Sequence, residues 1–331
     1  MDYLNKLFKD IYGNEDAIKF LQYSLKEKRI APAYLFHGEK GLNQEKVAKR
    51  FAEGLLLDGN SNQELSRKLI ESNNHPDLLY IEPSIINKGK IISLTNAREE
   101  KINLKVLPII RIEQIRDANS FINKKSIKSN RNVVIIDGID LMNEASSNAL
   151  LKTLEEPNNS AIILISNNLK LILPTIKSRC QLINFKPLSI NQIYKFIEKD
   201  KFIESEDKRL LANNKQLIEL SNGSPGKLID NIRKWNAIDK DLVSLIKKPI
   251  NNIIQIINVA NQISNLPLEE QILLIEFLQL EWWRQTNESK LIEKLEILKK
   301  LIGNRIQPRL AWEVCLLEIK QVLNQAEAAS S

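Results

Sequence analysis

At 331 residues, 43% hydrophobic and 27% charged, the chain is long enough for two or three domains with real cores and has the balance of an ordinary globular protein. A net charge of +7 permits contact with nucleic acid, but 48 basic residues are mixed with 41 acidic ones, and no dense Lys/Arg block with interleaved aromatics stands out. The sequence contains no run of 18 or more apolar residues and no apolar leader after Met1-Asp2-Tyr3-Leu4-Asn5-Lys6, so a cytoplasmic protein without a membrane span is expected.

Up to about Pro187, short apolar runs alternate with amphipathic stretches, the pattern of a parallel sheet flanked by helices. In chain order, strands are expected at Tyr34–His37, Leu78–Ile81, Val133–Asp137, Ile162–Ser166 and Gln181–Phe185. Helices are expected near Gln44–Leu57, Ile112–Ile122, Glu144–Leu154 and Pro174–Ser178. The charged, weakly periodic stretch Ser84–Pro108, with Gly89 inside it, reads as an exposed and partly disordered insertion. After Pro187 the strand signals stop. Ser189 caps a helix over Ile190–Lys199, and helices follow over Asp207–Leu220 and Pro225–Asn236, a small bundle. From about Ile238 apolar positions recur at helical spacing in Ile253–Ile263, Glu269–Trp283, Leu291–Leu301 and Ala311–Leu323, before a tail that reads as frayed. The division is residues 1–187, 188–237 and 238–325, with a tail over 326–331. Cys180 and Cys315 lie far apart and read as small buried hydrophobes.

The first strand runs into Gly38-Glu39-Lys40-Gly41-Leu42-Asn43-Gln44-Glu45, a turn that opens a helix. That is the setting of a phosphate-binding loop, G-x-x-x-x-G-K-[ST], in which a second glycine admits the phosphates, a lysine reaches them and a hydroxyl holds Mg²⁺. Here those three positions hold Asn43, Gln44 and Glu45. The cation and the hydroxyl are gone, and a carboxylate stands where triphosphate would sit. The strand Val133–Asp137 ends in the acid that such sites use for Mg²⁺, but Gly138 follows in place of a water-polarising glutamate. Asp137 could equally cap a helix or order its loop. Two defects in one site predict no ATP hydrolysis by this chain.

The helix Ala149-Leu150-Leu151-Lys152-Thr153-Leu154-Glu155-Glu156-Pro157, the triplet Ser178-Arg179-Cys180, His75-Pro76-Asp77 and Gly223-Ser224-Pro225-Gly226 together closely resemble the clamp-loader branch of the AAA+ ATPases. The likeness is strong over residues 10–187 and moderate to about 235. Beyond that it is weak, through Asn304, Pro308-Arg309-Leu310 and Glu313. It implies an α/β AAA+ domain (a P-loop NTPase-like parallel sheet with flanking helices), then a small helical lid and an all-α collar. The dead loop favours a non-motor subunit of the bacterial DNA polymerase III clamp loader over an ATP-hydrolysing motor.

The same resemblance implies that Arg179 reaches across a subunit boundary to a neighbour's ATP, an arginine finger in trans, with Ser178 steadying its loop and Cys180 packing beneath. A guanidinium suits that role because it is always charged and forks onto phosphate oxygens; a local pairing with a carboxylate is the plain alternative. Asn167 matches the polar sensor of active relatives. The lid arginine of motor subunits is replaced by Gly226, with Lys227 one step late. Gly54–Asn74 lacks the four cysteines of the family's zinc module, so no zinc is expected, and His75 and His37 read as backbone-bonding residues. Implied partners are motor subunits and a delta-like subunit in a hetero-oligomeric ring, and through it the sliding clamp and primed DNA. Trp282-Trp283 beside Arg284 are candidate interface anchors, although most of that stripe must be core. Two rivals remain: a motor ATPase in which Lys40 or Lys46 replaces the missing lysine, and a basic DNA-binding module.

Overall fold

A computed structural model describes residues 6–57, 63–100, 102, 107–155, 159–200, 203–304 and 306–330. It divides into two compact units, Met1–Gln192 and Ile193–Ser331. The units divide five residues beyond the expected break at 187, and the expected boundary after residue 237 falls inside the second.

In the first unit, β1 (Ala33–His37), β2 (Leu78–Ile81), β5 (Asn132–Asp137), β6 (Ser160–Ser166) and β7 (Gln181–Asn184) form one parallel sheet in the order β2-β5-β6-β1-β7. Strands in such a sheet are covered on both faces, which is why β5 and β6 are nearly continuous apolar runs. Their alternation divides the core. Tyr34, Phe36, Val133, Ile135, Ile163 and Ile165 face helices α1 (Glu15–Lys26) and α2 (Gln44–Leu56) through Leu21, Val47 and Phe51. Leu35, Val134, Ile136, Ile162 and Leu164 face α5 (Ile112–Ile122), α6 (Glu144–Glu155) and the short α7 (Pro174–Lys177) through Ile115, Leu150 and Ile176. Each expected strand is present, with ends within two residues. Helices α1 and α3 (Gln63–Glu71) are additional.

The stretch expected to be a disordered insertion is a hairpin, β3 (Ser84–Asn87) with β4 (Lys90–Ser93), followed by α4 (Leu94–Glu99). Lys88 (φ 49°) and Gly89 (φ 79°) both adopt the left-handed backbone that a two-residue hairpin turn needs. The strands are only four residues long, so the sequence periodicity is weak although Ser84, Ile85 and Ala97 are buried.

The second unit is helical: α8 (Ile190–Lys199) leads into it from the first unit, and α9 (Ser205–Asn213), α10 (Lys215–Leu220), α11 (Pro225–Ala237), α12 (Lys240–Ile246), α13 (Ile253–Ser264), α14 (Leu268–Thr286), α15 (Ser289–Gly303) and α16 (Pro308–Ser330) follow. The single helix expected over Asp207–Leu220 is two, broken at Asn214, whose φ of −135° and ψ of 68° are not helical. Helix α16 continues through residues 326–330 of the stretch expected to fray. Trp235 packs on Phe277 with ring centroids 4.3 Å apart. The buried indole N–H groups of Trp282 and Trp312 donate to Ile246 O (3.0 Å) and Gln271 Oε1 (3.0 Å).

Candidate functional site

Parallel strands place their carboxyl ends along one edge, and a ligand crevice forms there where neighbouring connections diverge. β1 has that position, between β6 and β7. The loop after it begins at Gly38, where a Cβ would lie 2.6 Å from Phe185 O, so only glycine fits. Gly41 (φ 86°) and Asn43 (φ 68°) are both left-handed, and α2 starts directly afterwards. The turn therefore joins strand to helix tightly, in the setting of a phosphate loop.

Its interior is closed. The buried Gln44 amide donates to Gly38 O (2.8 Å) and Glu39 O (2.9 Å), and its carbonyl accepts from Leu42 N–H (3.1 Å). A phosphate loop works by leaving backbone N–H groups for an anion; this loop folds onto its own glutamine. The next residue, Glu45, is paired with Lys49 (2.9 Å), whose ammonium lies over the Tyr80 ring.

Asp137 lies across this edge, two strands from β1, and accepts from Tyr80 Oη (3.2 Å). Burial and then the negative charge of Glu45 push its carboxyl up to about 6, and Glu82 and Asp140 add to the same effect. The field at the place of a triphosphate and its metal is thus negative. Gly138 is left-handed (φ 76°) with Pro83 close behind it, and Asn167 N–H donates to Asp140 Oδ1 (3.0 Å), which ties the sensor position to its loop. The residues do not fit a bound nucleotide: the motif lysine is absent, Gln44 fills the loop and takes Leu42 N–H, and the carboxylates of Glu45, Asp137 and Asp140 lie nearby. Lys46, a candidate substitute for the missing lysine, binds Asp10 through its backbone oxygen (2.7 Å) and carboxylate (3.4 Å).

Arg179 occupies the turn between α7 and β7, on the opposite edge of the sheet. It is exposed, and its guanidinium donates to Thr175 O (3.1 Å) and Glu155 Oε1 (3.0 Å). The local carboxylate pairing is therefore present in the chain by itself, with the partner drawn from the Glu155-Glu156-Pro157 motif. Glu156 and Pro157 lie outside the described residues. Ser178 Oγ donates to Thr175 O (3.1 Å), and Cys180 packs against the core, where burial pushes its thiol up to about 12.

His75 Nδ1 accepts from Asp77 N–H (3.2 Å), closing a turn as expected of a backbone-bonding residue. The sequence reading took Asp77 only as part of the His75-Pro76-Asp77 motif and gave it no role. Its buried carboxylate accepts the N–H groups of Ile127, Lys128 and Ser129 at 2.6–2.8 Å, fifty residues away. In the second unit Ser224 caps α11 by accepting from Lys227 N–H (3.2 Å). Trp282 is wholly buried whereas Trp283 is 44% exposed, and Arg284 pairs with Glu219. Among the described residues no group of three or more His, Cys, Asp or Glu side chains is arranged to hold a metal ion, and no helix is long and apolar enough to cross a membrane.

Residues 13–189 match the family described as DNA polymerase III, delta subunit, and residues 198–319 match the one described as cyanobacterial DNA polymerase III delta prime, C-terminal domain. Subunit delta' of DNA polymerase III from Bacillus subtilis (strain 168) is 33% identical over 202 residues, 59% of this chain and 54% of that protein. The subunit delta' of Pseudomonas aeruginosa is 31% identical over 156 residues, 45% of this chain and 42% of that one. Subunit tau/gamma of Haemophilus influenzae is 30% identical over 194 residues, 57% and 25% respectively. The chain spans about half the length of the delta' relatives it matches.

Proposed function

Because this chain belongs to the DNA polymerase III delta-subunit family, we propose that it serves as a non-motor, delta-prime-like subunit of a bacterial clamp loader. In this reading it neither binds nor hydrolyses ATP, holds its α/β domain in one arrangement for the motor subunits to work against, and supplies Arg179 to the active site of a neighbour. Residues 188–237 act as the lid and 238–325 as the collar that joins the ring. The sliding clamp and primed DNA are met through the assembled complex. No cofactor and no zinc belong to this chain.

The observation that carries this reading is the Gln44 side chain bonded into its own loop. A buried side chain that makes three hydrogen bonds there, one of them from Leu42 N–H, competes with a phosphate for that place. Arg179 is suited to act outside the chain because it is exposed and its two partners are weakly held. An exposed ion pair contributes about 0–1 kcal/mol, so a neighbour's phosphate readily competes with Glu155. A guanidinium placed on a γ-phosphate from a second subunit stabilises developing charge and can raise the rate by ~10³–10⁵.

The test is reconstitution with motor and delta-like subunits and the clamp. Arg179→Ala should leave assembly intact and lower DNA-stimulated ATP hydrolysis by the partners at least about tenfold. Unchanged hydrolysis in a verified complex removes Arg179 from the mechanism. Micromolar ATP binding by the purified chain would favour the motor reading instead.

A further inference from the structure

An open sheet has two outer strands, and β2 is the one on the side away from β7 and Arg179. Val133 N–H donates to Asp77 O (2.9 Å) and Val133 is in register with Leu78, so Asp77, Leu79 and Ile81 turn their backbone groups toward β5. Leu78, Tyr80 and Glu82 turn theirs outward. The ends of this outer row are closed: Leu78 N–H donates to His75 O (3.1 Å), and Glu82 O accepts from the Gln114 amide (2.8 Å). Between them Leu78 O, Tyr80 N–H, Tyr80 O and Glu82 N–H have no hydrogen-bond partner among the described residues.

A cavity of about 570 Å³ opens along this row, lined by Leu79, Tyr80 and Ile81 of β2 and by the ends of α3, α4 and α5 that flank it. An unpaired strand edge is a template for another extended chain. Edges that are guarded against pairing carry lysine, proline or a bulge on the strand itself. β2 presents Leu79-Tyr80-Ile81 instead, and most of the charge beside it belongs to the flanking elements, which leaves the backbone row open.

The charge has one sign. Among the described residues the cavity is lined by the carboxylates of Glu71, Glu82, Glu99 and Asp117 and by no lysine, arginine or histidine. Glu71 bonds Arg50 (2.8 Å), and Glu82 takes the N–H (3.0 Å) and hydroxyl (2.7 Å) of Thr95. Glu99 and Asp117 are exposed and have no ion pair among the described residues. Acids flank both faces of the sheet: α3, which ends at Glu71, packs through Ile70 on the face of Tyr34 and Phe36, whereas α5, which carries Asp117, packs through Ile115 and Ala118 on the other. Successive side chains of an added strand alternate between those two faces.

We propose that the outer edge of β2 is a docking site for an extended, lysine- or arginine-bearing segment of a partner protein, which joins the sheet as a further strand. Hydrogen bonds to the free backbone groups of Leu78, Tyr80 and Glu82 supply affinity, and the carboxylates on either side select a cationic segment. A metal ion or a polyamine would use the carboxylates alone and leave the backbone row unpaired. The site uses neither Arg179 nor the loop at Gly38, so it stands or falls separately from the reading above.

The experiment titrates the whole purified chain into a fluorescein-labelled, end-capped hexapeptide that alternates lysine and valine. Binding is expected at low salt, and Glu99→Gln/Asp117→Asn should weaken it at least about tenfold. A control pair, Glu198→Gln/Glu293→Gln, removes exposed carboxylates of the second unit and should change affinity by no more than about twofold. Methylating every second backbone nitrogen of the peptide, at the lysines in one version and at the valines in another, should weaken binding at least about tenfold in one of the two, because the donors that face Leu78 and Tyr80 are then lost. Absent binding at low salt, an equal loss in the two protein variants, or methylated peptides that both bind as well as the parent would overturn the proposal. So would a peptide alternating glutamate and valine that binds as tightly, because the carboxylates would then select nothing.

Discussion

Gln44 stands where a phosphate loop carries lysine, and its amide satisfies three backbone groups of that loop. Gln44→Ala strands those groups in a buried pocket, so it should destabilise the chain by about 1–3 kcal/mol, read from urea unfolding. Reversing the chemistry with Asn43→Gly/Gln44→Lys/Glu45→Thr should instead create measurable nucleotide binding, because the strand, turn and helix that frame the loop are in place. The same triple without any binding would show that the carboxylates beyond the loop are sufficient to exclude phosphate. Asp137 gives a pH signature. Its carboxyl titrates near 6 in the fold and near 3.8 when unfolded, so the folded state holds the extra proton between those values. Stability should therefore fall as pH rises from about 4 to about 6, and Asp137→Asn should abolish that fall and stabilise the chain at pH 7 by up to about 3 kcal/mol. Partner ATP hydrolysis should be nearly untouched. The three altered residues of the loop were legible from spacing alone. That one of them closes the loop was not, because its partners are backbone groups that meet only once the turn has formed.

At the scale of elements, the strands and longer helices follow from hydrophobic period, while the short elements do not. Four-residue strands such as β3 and β4 carry too few alternations to be seen, and what forms them is a Lys88-Gly89 turn and burial of Ser84 and Ile85. The break at Asn214 has the same character, since neighbouring apolar residues continue at helical spacing across it. Asp77 joins elements that the sequence separates. Burial alone would raise its carboxyl, but the three N–H donors from the loop before β5 hold it below the usual carboxylate range. That contribution is fully present above the unfolded carboxylate value and is lost as pH falls through the lower folded one. Asp77→Ala should cost about 2–4 kcal/mol in urea unfolding at neutral pH. Unaltered stability would mean that the three bonds contribute little.

For the whole molecule, Arg179→Ala separates assembly chemistry from folding. The side chain is exposed and, among the described residues, pairs with Glu155 and Thr175, so the unfolding free energy of the purified chain in urea should change by no more than about 1 kcal/mol, while hydrolysis in the reconstituted complex falls. A large loss of stability would instead assign the arginine a structural role. The sequence by itself determined the class of fold, the strands of the sheet, the helical character of the second half and the defects of the phosphate loop. Each of these depends on residue type at a fixed spacing along one segment, and spacing survives unfolding. Only the tertiary structure decided that Gln44 closes its loop, that the charge of Glu45 acts on Asp137 two strands away, that Arg179 rests on Glu155, and that Asp77 holds the loop fifty residues on. These are relations across a parallel sheet, whose partners are chosen by strand order and register, and neither is written in the local pattern of any one segment.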